Sequence, residues 1–452
     1  MGVEHKSQDK SVAVNKDPIK SKTDQQHSSF IDVTADLRTQ FAHEFANPDA
    51  NAEFVYKDLS FEVTDKSKKK VDGDQPKSTK KQILQNISGS IKAGEMLAIL
   101  GPSGAGKTTL LNMFTLEASA GTGYGSLTLN GTPLKRENFV RNCYYVPQEF
   151  SLYAFLTPRE TLTYAASLFS KDTQHIERRV NTLLNVMGLE SCADTRVGNA
   201  FFQGLSGGQK KRLSVAVALL SQPLVLFLDE PTSGLDAAAA AGIMQFLRDL
   251  ASMANIMIVC TIHQPSTDVF YAFDKVMLMA NGQLAYLGSA DHVVPYFKSI
   301  GHVMPQNSNP AEWILDLVND EFTSPLQVQN ILSSWSHHKQ QSQQQPIARA
   351  PSTRDVSNKD TKNHPGFGSQ MWTLIKRHSL LIARDPTLYS GRMIIFMIMA
   401  IFFSIIYIDQ RKREQEQVLN KMWLTLWYVG PAASLAVIAV YATNLEFKSV
   451  KL

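Results

Sequence analysis

The stretch Gly101–Thr109, Gly-Pro-Ser-Gly-Ala-Gly-Lys-Thr-Thr, constrains the fold more than any other part of the chain. It follows the apolar run Met96–Leu100, which predicts a buried strand, and it leads into a helical pattern at Thr108–Phe114. A strand, a glycine-rich loop and a helix in this order predict an α/β domain whose loop binds phosphate. Glycines let successive backbone N–H groups turn towards an anion, and the helix N-terminus adds its own unpaired N–H groups.

The loop residues have predicted parts in binding a nucleotide. Lys107 would reach the outer phosphates, and the Thr108 hydroxyl would ligate Mg²⁺. A glycine-rich turn that binds nothing is the alternative, but the flanking strand and helix favour a phosphate site. The cofactor-binding residues assigned here are Gly101, Pro102, Ser103, Gly104, Ala105, Gly106, Lys107, Thr108 and Thr109.

Composition sets broad limits on the class of protein. A chain of 452 residues, 44% of them hydrophobic, can form two or more domains. The net charge of +4 is too small to favour nucleic acid as a partner. Three scattered cysteines fit buried positions in a reducing compartment. Residues 1–50 are polar and contain no apolar signal segment, so we expect a disordered cytosolic tail there.

Changes in composition divide the rest of the chain. Apolar runs alternate with amphipathic stretches through residues 51–335, which predicts one α/β nucleotide-binding domain. Residues 336–366 are rich in Gln, Ser and charge, which predicts a polar linker. His337 and His338 in this linker lack further ligands at metal spacing, so a solvated pair is favoured over a metal site. Residues 367–387 predict an amphipathic helix at a membrane surface.

Residues 388–452 predict a membrane region. Two apolar stretches, at about 390–408 and 422–445, are long enough to span a bilayer, and residues 393–408 and 422–445 carry no charge. A buried soluble helix could mimic either one, but two in succession favour spans. Basic residues ahead of the first span place its N-terminal side in the cytosol, although the loop at 409–417 is also basic and would face outward. We therefore predict a multi-pass membrane protein with its nucleotide-binding domain and N-terminus in the cytosol.

Two acidic residues end another apolar run, at 225–228. Asp229 would hold Mg²⁺, and Glu230 would act as the general base that polarises the attacking water. Upstream, the sequence Leu-Ser-Gly-Gly-Gln at 205–209 places a hydroxyl and two glycines at a helix N-terminus, which predicts a second anion site. One nucleotide needs one phosphate site, so the second site is expected to serve the nucleotide of a partner subunit.

These motifs, in this order, resemble those of ATP-binding cassette (ABC) ATPases. The phosphate loop is similar to the family's Walker A motif, residues 205–209 to its signature, and residues 225–229 with Glu230 to its Walker B motif. Three further residues match by position: Gln148 in the Q-loop, Asp236 in the D-loop and His263 as the switch histidine. The resemblance implies an α/β fold, namely a P-loop NTPase domain of the ABC type, followed by an all-α transmembrane region.

The resemblance also implies the ligands and the site residues. ATP and Mg²⁺ are the implied cofactors, and the catalytic residues would be Glu230, His263 and Gln148. The Mg²⁺ site would be formed by Thr108, Gln148 and Asp229. The further cofactor-binding residues would be Ser206, Gly207, Gly208, Gln209 and Asp236. Of these, Ser206 and Gly208 would cap the γ-phosphate of the partner subunit's ATP, and Asp236 would couple the two sites. No base-stacking aromatic is assigned, because either Phe61 or Val63 could occupy that position and a core Phe61 is equally compatible.

Several features resemble the G subfamily of ABC transporters, the White and pleiotropic-drug-resistance type. The cassette precedes the spans, and the sequences at 261–266, 309–316 and 384–386 are similar to that subfamily's motifs. The signature and the three residues after it, Leu-Ser-Gly-Gly-Gln-Lys-Lys-Arg, depart from the Val-Ser-Gly-Gly-Glu-Arg-Lys-Arg that is frequent in this subfamily.

This resemblance implies an ATP-hydrolysing half-transporter that works as a homo- or heterodimer in the lipid bilayer. It would export a lipid, a sterol or an amphipathic xenobiotic, with no nucleic acid as partner. The subfamily's membrane domain has six spans, so we expect this chain to be truncated after the second. The alternative function is that of a membrane-anchored or soluble ABC ATPase with a regulatory, non-transport role.

Overall fold

A computed structural model describes the chain in several ranges: 35–47, 49–65, 79–118, 121–149, 152–199, 202–342, 365–385 and 390–406, with Met422, Trp423 and Leu426. The strands are β1 (Glu53–Asp65), β2 (Thr79–Lys92), β3 (Met96–Leu100), β4 (Thr122–Leu129), β5 (Thr132–Pro133), β6 (Cys143–Val146), β7 (Val225–Asp229), β8 (Met257–Thr261), β9 (Lys275–Ala280) and β10 (Gln283–Ser289). The first α-helices are α1 (Ala35–Phe45), α2 (Lys107–Phe114), α3 (Arg136–Asn142), α4 (Pro158–Ser167), α5 (Thr173–Val186), α6 (Gly207–Leu219) and α7 (Ala237–Ala254). They are followed by α8 (Thr267–Tyr271), α9 (Val293–Ser299), α10 (Pro310–Leu317), α11 (Pro325–Ser342), α12 (Phe367–Arg384) and α13 (Ser390–Ile406).

A six-stranded sheet in the order β10-β9-β3-β8-β7-β6 forms the centre of the fold. The strands from β9 to β6 are parallel to their neighbours, and β10 pairs antiparallel with β9. All residues of β3 and β8 are buried, as expected for uninterrupted apolar strands covered on both faces. Because parallel strands end at the same edge of a sheet, the segments that follow β3, β6, β7 and β8 meet there.

A smaller antiparallel sheet, in the order β2-β1-β4-β5, packs against this core. Phe54 of β1 contacts Phe114 of α2 edge to face, with ring centroids 5.4 Å apart, and it contacts Phe227 of β7 at 5.8 Å. The contacts join the smaller sheet to the helix that follows the phosphate loop and to the central sheet. The two sheets and their helices confirm the predicted α/β class.

Helices α4, α5 and α6 pack together beside the central sheet. Helix α4 begins at Thr157 with a capping box, in which Thr157 Oγ1 accepts from the Glu160 N–H and the Glu160 side chain accepts from the Thr157 N–H. Helix α6 begins in the same way at Ser206. The signature sequence therefore starts this helix, as predicted.

Helix α1 corrects the prediction of a disordered tail through residue 50. Its Phe41 and Phe45 lie one turn apart, are 0% and 2% exposed, and stack with centroids 5.1 Å apart. The Arg179 guanidinium of α5 lies 4.7 Å from the Phe45 ring. Two apolar residues in a polar segment give no sustained helical period, so the burial depends on tertiary contacts. The rest of the predicted tail, residues 1–34, lies outside the described residues.

Helix α11 corrects the predicted start of the linker, because it continues from residue 325 to residue 342. The His338 ring stacks on Trp335, with centroids 5.4 Å apart and planes at 16°, and meets Tyr296 edge to face. His338 therefore belongs to an aromatic cluster. The remainder of the predicted linker, residues 343–364, lies outside the described residues.

Helices α12 and α13 follow. Helix α12 occupies residues 367–384, within the predicted amphipathic segment, and α13 occupies residues 390–406, within the first predicted span. In the part of the chain that the structure describes, no helix has both the length and the apolar character that crossing a membrane requires. Most of the second predicted span, 422–445, lies outside the described residues.

Candidate functional site

The phosphate loop is held tightly between β3 and α2. Gly106 caps α2 in a left-handed conformation, at φ +99°, and a Cβ at this position would lie 2.7 Å from Leu84 Cδ2. A Cβ at Gly101 would collide with the Met279 carbonyl oxygen. Gly104, at φ +80°, has nothing within 4 Å of a Cβ. The loop thus packs closely on one side and is open at Gly104, where an anion can approach.

The other residues of the phosphate loop differ in how far they are exposed. Ala105 is buried, and its N–H donates to the Pro102 carbonyl oxygen over 3.2 Å. Ser103 and Thr108 are exposed, whereas Thr109 is half-buried in the first turn of α2. The hydroxyl of Thr108 is therefore accessible beside the open side of the loop.

Lys107 lies over its own loop. Its Nζ donates to the carbonyl oxygens of Gly101, at 2.7 Å, and Pro102, at 3.0 Å. Burial lowers the pKa of this ammonium, while the negative charges of Glu230 and Asp229 act to raise it. Lys107 is thus electrostatically coupled to the acidic residues that end β7, although they lie more than a hundred residues away in the chain.

Thr261, the last residue of β8, organises the end of β7. Its Oγ1 donates to Asp229 Oδ1 over 2.6 Å and accepts from the Glu230 backbone N–H over 2.9 Å. The side chain is only 2% exposed. One buried hydroxyl therefore orients both carboxylate residues.

The other oxygen of Asp229 accepts a hydrogen bond from Tyr145 of β6. The Tyr145 hydroxyl lies 3.3 Å from Asp229 Oδ2. Burial raises the pKa of Tyr145, and the charge of Asp229 raises it further, so the phenol stays protonated and acts as a donor. The sequence motifs assigned no role to Tyr145 or Thr261. In the sequence, Thr261 stands out only as the first residue of the stretch 261–266 that resembles a subfamily motif, and no sequence feature pointed to Tyr145.

Two of the predicted site residues, Gln148 and Glu230, contact each other. Gln148 Nε2 donates to Glu230 Oε2 over 2.9 Å and to Ser233 Oγ over 3.3 Å. Glu230 has a left-handed backbone, at φ +43°, which is uncommon for a residue with a side chain. Such strained positions often occur in functional sites. His263 is exposed two residues beyond β8, at the same edge of the sheet.

The signature residues form a separate group with the D-loop of the same chain. Ser206 Oγ accepts from the Gln209 N–H over 3.3 Å, and Gln209 Oε1 accepts from the Ser206 N–H over 2.9 Å. Asp236 caps α7 by accepting from the Ala239 N–H over 2.8 Å. These motifs share a cavity of about 380 Å³, lined among others by Ser206, Gly207, Gly208, Gly234 and Asp236.

Phe61 does not provide a base-stacking surface. Its side chain is 4% exposed and packs in the core of the smaller sheet, whereas Val63 on the same strand is half-buried at the edge of that core. Phe61 is therefore a core residue, in line with its omission from the predicted site.

Helix α12 contacts the helical layer through a bidentate ion pair. Arg384 donates from Nη1 and Nη2 to the Glu160 carboxylate of α4, over 2.7 and 2.8 Å. Arg384 Nη1 also donates to the Phe155 carbonyl oxygen over 3.1 Å, and the Arg377 guanidinium lies 4.9 Å from the Tyr153 ring. These contacts connect α12 to the segment that follows the Q-loop.

The parallel sheet, the phosphate loop and the paired signature and D-loop define the nucleotide-binding domain of an ABC ATPase. The ABC transporter family matches residues 84–233, and the ABC-2 type transporter family matches residues 263–400. The chain is therefore similar to ABC transporters along both matched segments, and many of its relatives are members of the G family. This confirms the family predicted from the motifs.

Three relatives illustrate the similarity. ABC transporter G family member 1 of Dictyostelium discoideum is 40% identical over 276 residues, which cover 60% of this chain and 34% of that protein. ABC transporter G family member 22 of Arabidopsis thaliana is 43% identical over 245 residues, covering 54% and 32%. ABC transporter G family member 12 of Dictyostelium discoideum is 29% identical over 435 residues, covering 90% and 66%. The chain thus spans between about a third and two thirds of the length of these relatives.

Proposed function

We propose that the chain hydrolyses ATP as one half of a dimeric transporter and couples hydrolysis to the export of a lipid, a sterol or an amphipathic xenobiotic. The observation that carries this proposal is the contact between Gln148 and Glu230, over 2.9 Å, beside the Walker B residue Asp229. It supports a hydrolytic centre because it combines a candidate base with a side-chain amide that can orient water.

The site residues suit a nucleotide and a magnesium ion. Thr108, Gln148 and Asp229 offer the oxygen ligands that Mg²⁺ prefers. Mg²⁺ in nucleotide sites usually takes part of its ligands from the phosphates, so these three residues would share it with phosphate oxygens. When bound, Mg²⁺ neutralises charge on the β- and γ-phosphates.

The residues of the chain would then divide the work of hydrolysis. Lys107 would exchange its bonds to loop carbonyls for phosphate oxygens. Glu230 would accept a proton from the attacking water, which Gln148 helps to orient, and Thr261 would keep the Asp229 carboxylate in position. His263 would contact the γ-phosphate as the switch residue. Each of these groups lies at the carboxyl edge of the central sheet.

A second subunit would complete each site. Ser206, Gly207, Gly208 and Gln209 lie at the start of α6, where N–H groups and the helix dipole favour an anion. Their group with Asp236 is separate from the Walker A loop of the same chain, which supports a role towards the partner subunit's ATP. The nucleotide would therefore hold a homo- or heterodimer together.

Helix α12 would pass the motion of the cassettes to the membrane region. Its ion pair with α4 connects it to the helical layer, and Trp372, Ile375 and Met371 are 67%, 48% and 44% exposed. Helix α13 exposes further apolar side chains, with Met393 69% and Ile398 61% exposed. These surfaces support the predicted membrane region. The cassette and the N-terminus would lie in the cytosol.

Reconstituted vesicles test the proposal. We expect ATP-driven movement of a labelled lipid by the unsubstituted chain and loss of this movement in Glu230→Gln. ATPase activity without movement would favour the regulatory ATPase instead. A chain that neither hydrolyses ATP nor moves lipid would contradict both functions.

A further inference from the structure

A buried lysine lies between the signature helix and the Q-loop. Lys211 of α6 is 2% exposed, and its Nζ approaches the carbonyl oxygens of Pro147, at 3.3 Å, and Gln148, at 3.4 Å. Lysine is rarely buried to this extent, because an ammonium loses its hydration on burial. Its retention at this place therefore needs a reason.

Negative charges near Lys211 offset part of the cost of burying its ammonium group. Burial lowers the pKa of Lys211 to about 8, against the opposing influence of the negative charges of Asp229 and Glu230. The ammonium thus lies in the electrostatic field of the two carboxylates that end β7. The same side chain contacts the backbone of the Q-loop, so it links two parts of the hydrolytic site.

The contacts continue from Lys211 to the candidate base. Lys211 holds the carbonyl group of Gln148, and the side chain of Gln148 donates to Glu230 over 2.9 Å. Helix α6, which carries Lys211, begins at the signature residue Ser206. A continuous path of contacts therefore runs from the signature through the Q-loop to Glu230.

The neighbouring lysine makes a different contact. Lys210 Nζ donates to the Gly198 carbonyl oxygen over 3.2 Å, in the loop ahead of the signature. Lys210 and Lys211 are thus adjacent lysines on one helix: Lys210 reaches a carbonyl ahead of the signature, whereas Lys211 reaches the Q-loop. This pair provides a matched comparison.

We propose that Lys211 is a positioning residue that fixes the Q-loop so that Gln148 presents its amide to Glu230. Through it, a phosphate bound at the start of α6 would influence the hydrolytic carboxylate of the same chain. This inference rests on the proposed ATPase function. It assigns Lys211 no direct contact with the nucleotide.

The kinetic test compares variants of the 452-residue chain in lipid nanodiscs. We expect Lys211→Met to lower kcat about tenfold with KM for ATP changed less than about twofold, since the lost contact orients the base rather than the nucleotide. Lys211→Arg should recover most of the activity, and Lys210→Met should leave kcat unchanged. In a Gln148→Ala background, Lys211→Met should add less than about twofold, because both act on one contact.

Two results would overturn the inference. One is an unchanged kcat in Lys211→Met, and the other is a loss that multiplies with that of Gln148→Ala. If Lys211→Met does not fold, Lys211→Gln, which keeps a hydrogen-bond donor, takes its place in the same comparison.

Hydrogen exchange separates this inference from the proposed function. Without nucleotide, Lys211→Met should accelerate amide exchange at Gln148 and Glu149, and Lys210→Met should not. Unchanged exchange would refute the role of Lys211 in holding the Q-loop. An unsubstituted chain without ATPase activity would refute the proposed function, and the exchange measurement would still decide whether Lys211 holds the loop.

Discussion

Gln148 Nε2 lies 2.9 Å from Glu230 Oε2, although the two residues are 82 positions apart in the chain. The contact arises because β6 and β7 are adjacent parallel strands, so the residues that follow them meet at one edge of the sheet. Gln148 also donates to Ser233, the first residue of the D-loop at 233–236. The Q-loop therefore contacts both the candidate base and the D-loop.

Replacing Glu230 by Gln should abolish hydrolysis and preserve ATP binding. The amide keeps the size of the side chain but cannot accept a proton from water, and a general base contributes roughly 10²- to 10⁴-fold to a rate. Steady-state ATPase assays and nucleotide-binding titrations measure the two effects. The control is Glu137→Gln, an exposed residue of α3, and a similar loss there would argue against a specific role for Glu230.

Replacing Thr261 by Val should weaken the response to Mg²⁺. Valine keeps the shape but removes the hydrogen bonds to Asp229 Oδ1, at 2.6 Å, and from the Glu230 N–H, at 2.9 Å. Hydrogen bonds to charged groups contribute about 1.5–3 kcal/mol, so we expect kcat to fall by roughly ten- to a hundredfold. ATPase assays over a range of Mg²⁺ concentrations measure both the fall in kcat and the change in the response to Mg²⁺.

Thr163→Val is the matched control for this variant. The Thr163 hydroxyl donates to the Arg159 carbonyl oxygen within α4, over 2.7 Å, and is exposed. We expect its Mg²⁺ dependence to equal that of the unsubstituted chain. An unaltered Mg²⁺ dependence in Thr261→Val would show that Asp229 needs no support from this hydroxyl.

The motifs predicted the sheet and the phosphate loop because their local requirements are strict. Gly106 has to adopt a left-handed conformation where a side chain would meet Leu84, and the apolar runs of β3 and β7 have to be covered on both faces. Such constraints leave a pattern in the residues themselves. Family resemblance added Gln148 and His263, which no local pattern distinguishes.

The residues that sequence reasoning missed depend on contacts between distant segments. Thr261, Tyr145 and Lys211 are ordinary strand or helix residues until the sheet brings β6, β7, β8 and α6 together. Helix α1 was missed for the same reason, since its two phenylalanines gain their burial from α5 and α7. Helix and strand propensities and hydrophobic periodicity depend on local sequence, so they do not indicate contacts between distant segments.

Removing the ion pair between Arg384 and Glu160 should loosen α12. Glu160→Gln keeps the side-chain acceptor for the Thr157 N–H but removes the charge, and Arg384→Gln removes both bonds donated to Glu160. For this half-buried bidentate pair we expect a coupling free energy of about 1 kcal/mol in a double-mutant cycle. Protease sensitivity of α12 measures it.

Arg159→Gln supplies the comparison for this cycle. Arg159 lies on the same helix and pairs with Asp194 over 3.2 Å, at an exposed position away from α12. It should leave the protease sensitivity of α12 unchanged. Additive effects of Glu160→Gln and Arg384→Gln would mean that the ion pair does not hold the helix.

The same ion pair predicts how docking of α12 depends on pH. Burial alone would raise the pKa of Glu160, but hydrogen bonds from Arg384 and the Thr157 N–H, and the Arg384 charge, lower it overall. Because docking of α12 lowers the pKa of Glu160, the ion pair stabilises the docked helix at pH values above the ordinary glutamate pKa of about 4.3. This stabilisation is lost as the pH falls below that value and Glu160 becomes protonated. We expect constant protease sensitivity from about pH 7 to 5 and a rise below roughly pH 4.3, absent in Glu160→Gln. A rise already at pH 6 would point to another group.

Replacing Phe45 by Ala should destabilise the cassette, because this ring joins α1 to both the helical layer and the core. Phe45 stacks on Phe41 and lies beneath Arg179, whose Nη2 donates to the Leu220 carbonyl oxygen over 3.1 Å. Truncating a buried phenylalanine costs about 3–5 kcal/mol, and here it also uncovers a buried guanidinium. Urea unfolding measures the change, with Arg38→Ala on the exposed face of α1 as the control, expected within about 0.5 kcal/mol of the unsubstituted chain. A loss below about 1 kcal/mol in Phe45→Ala would mean that α1 is not an integral part of the cassette.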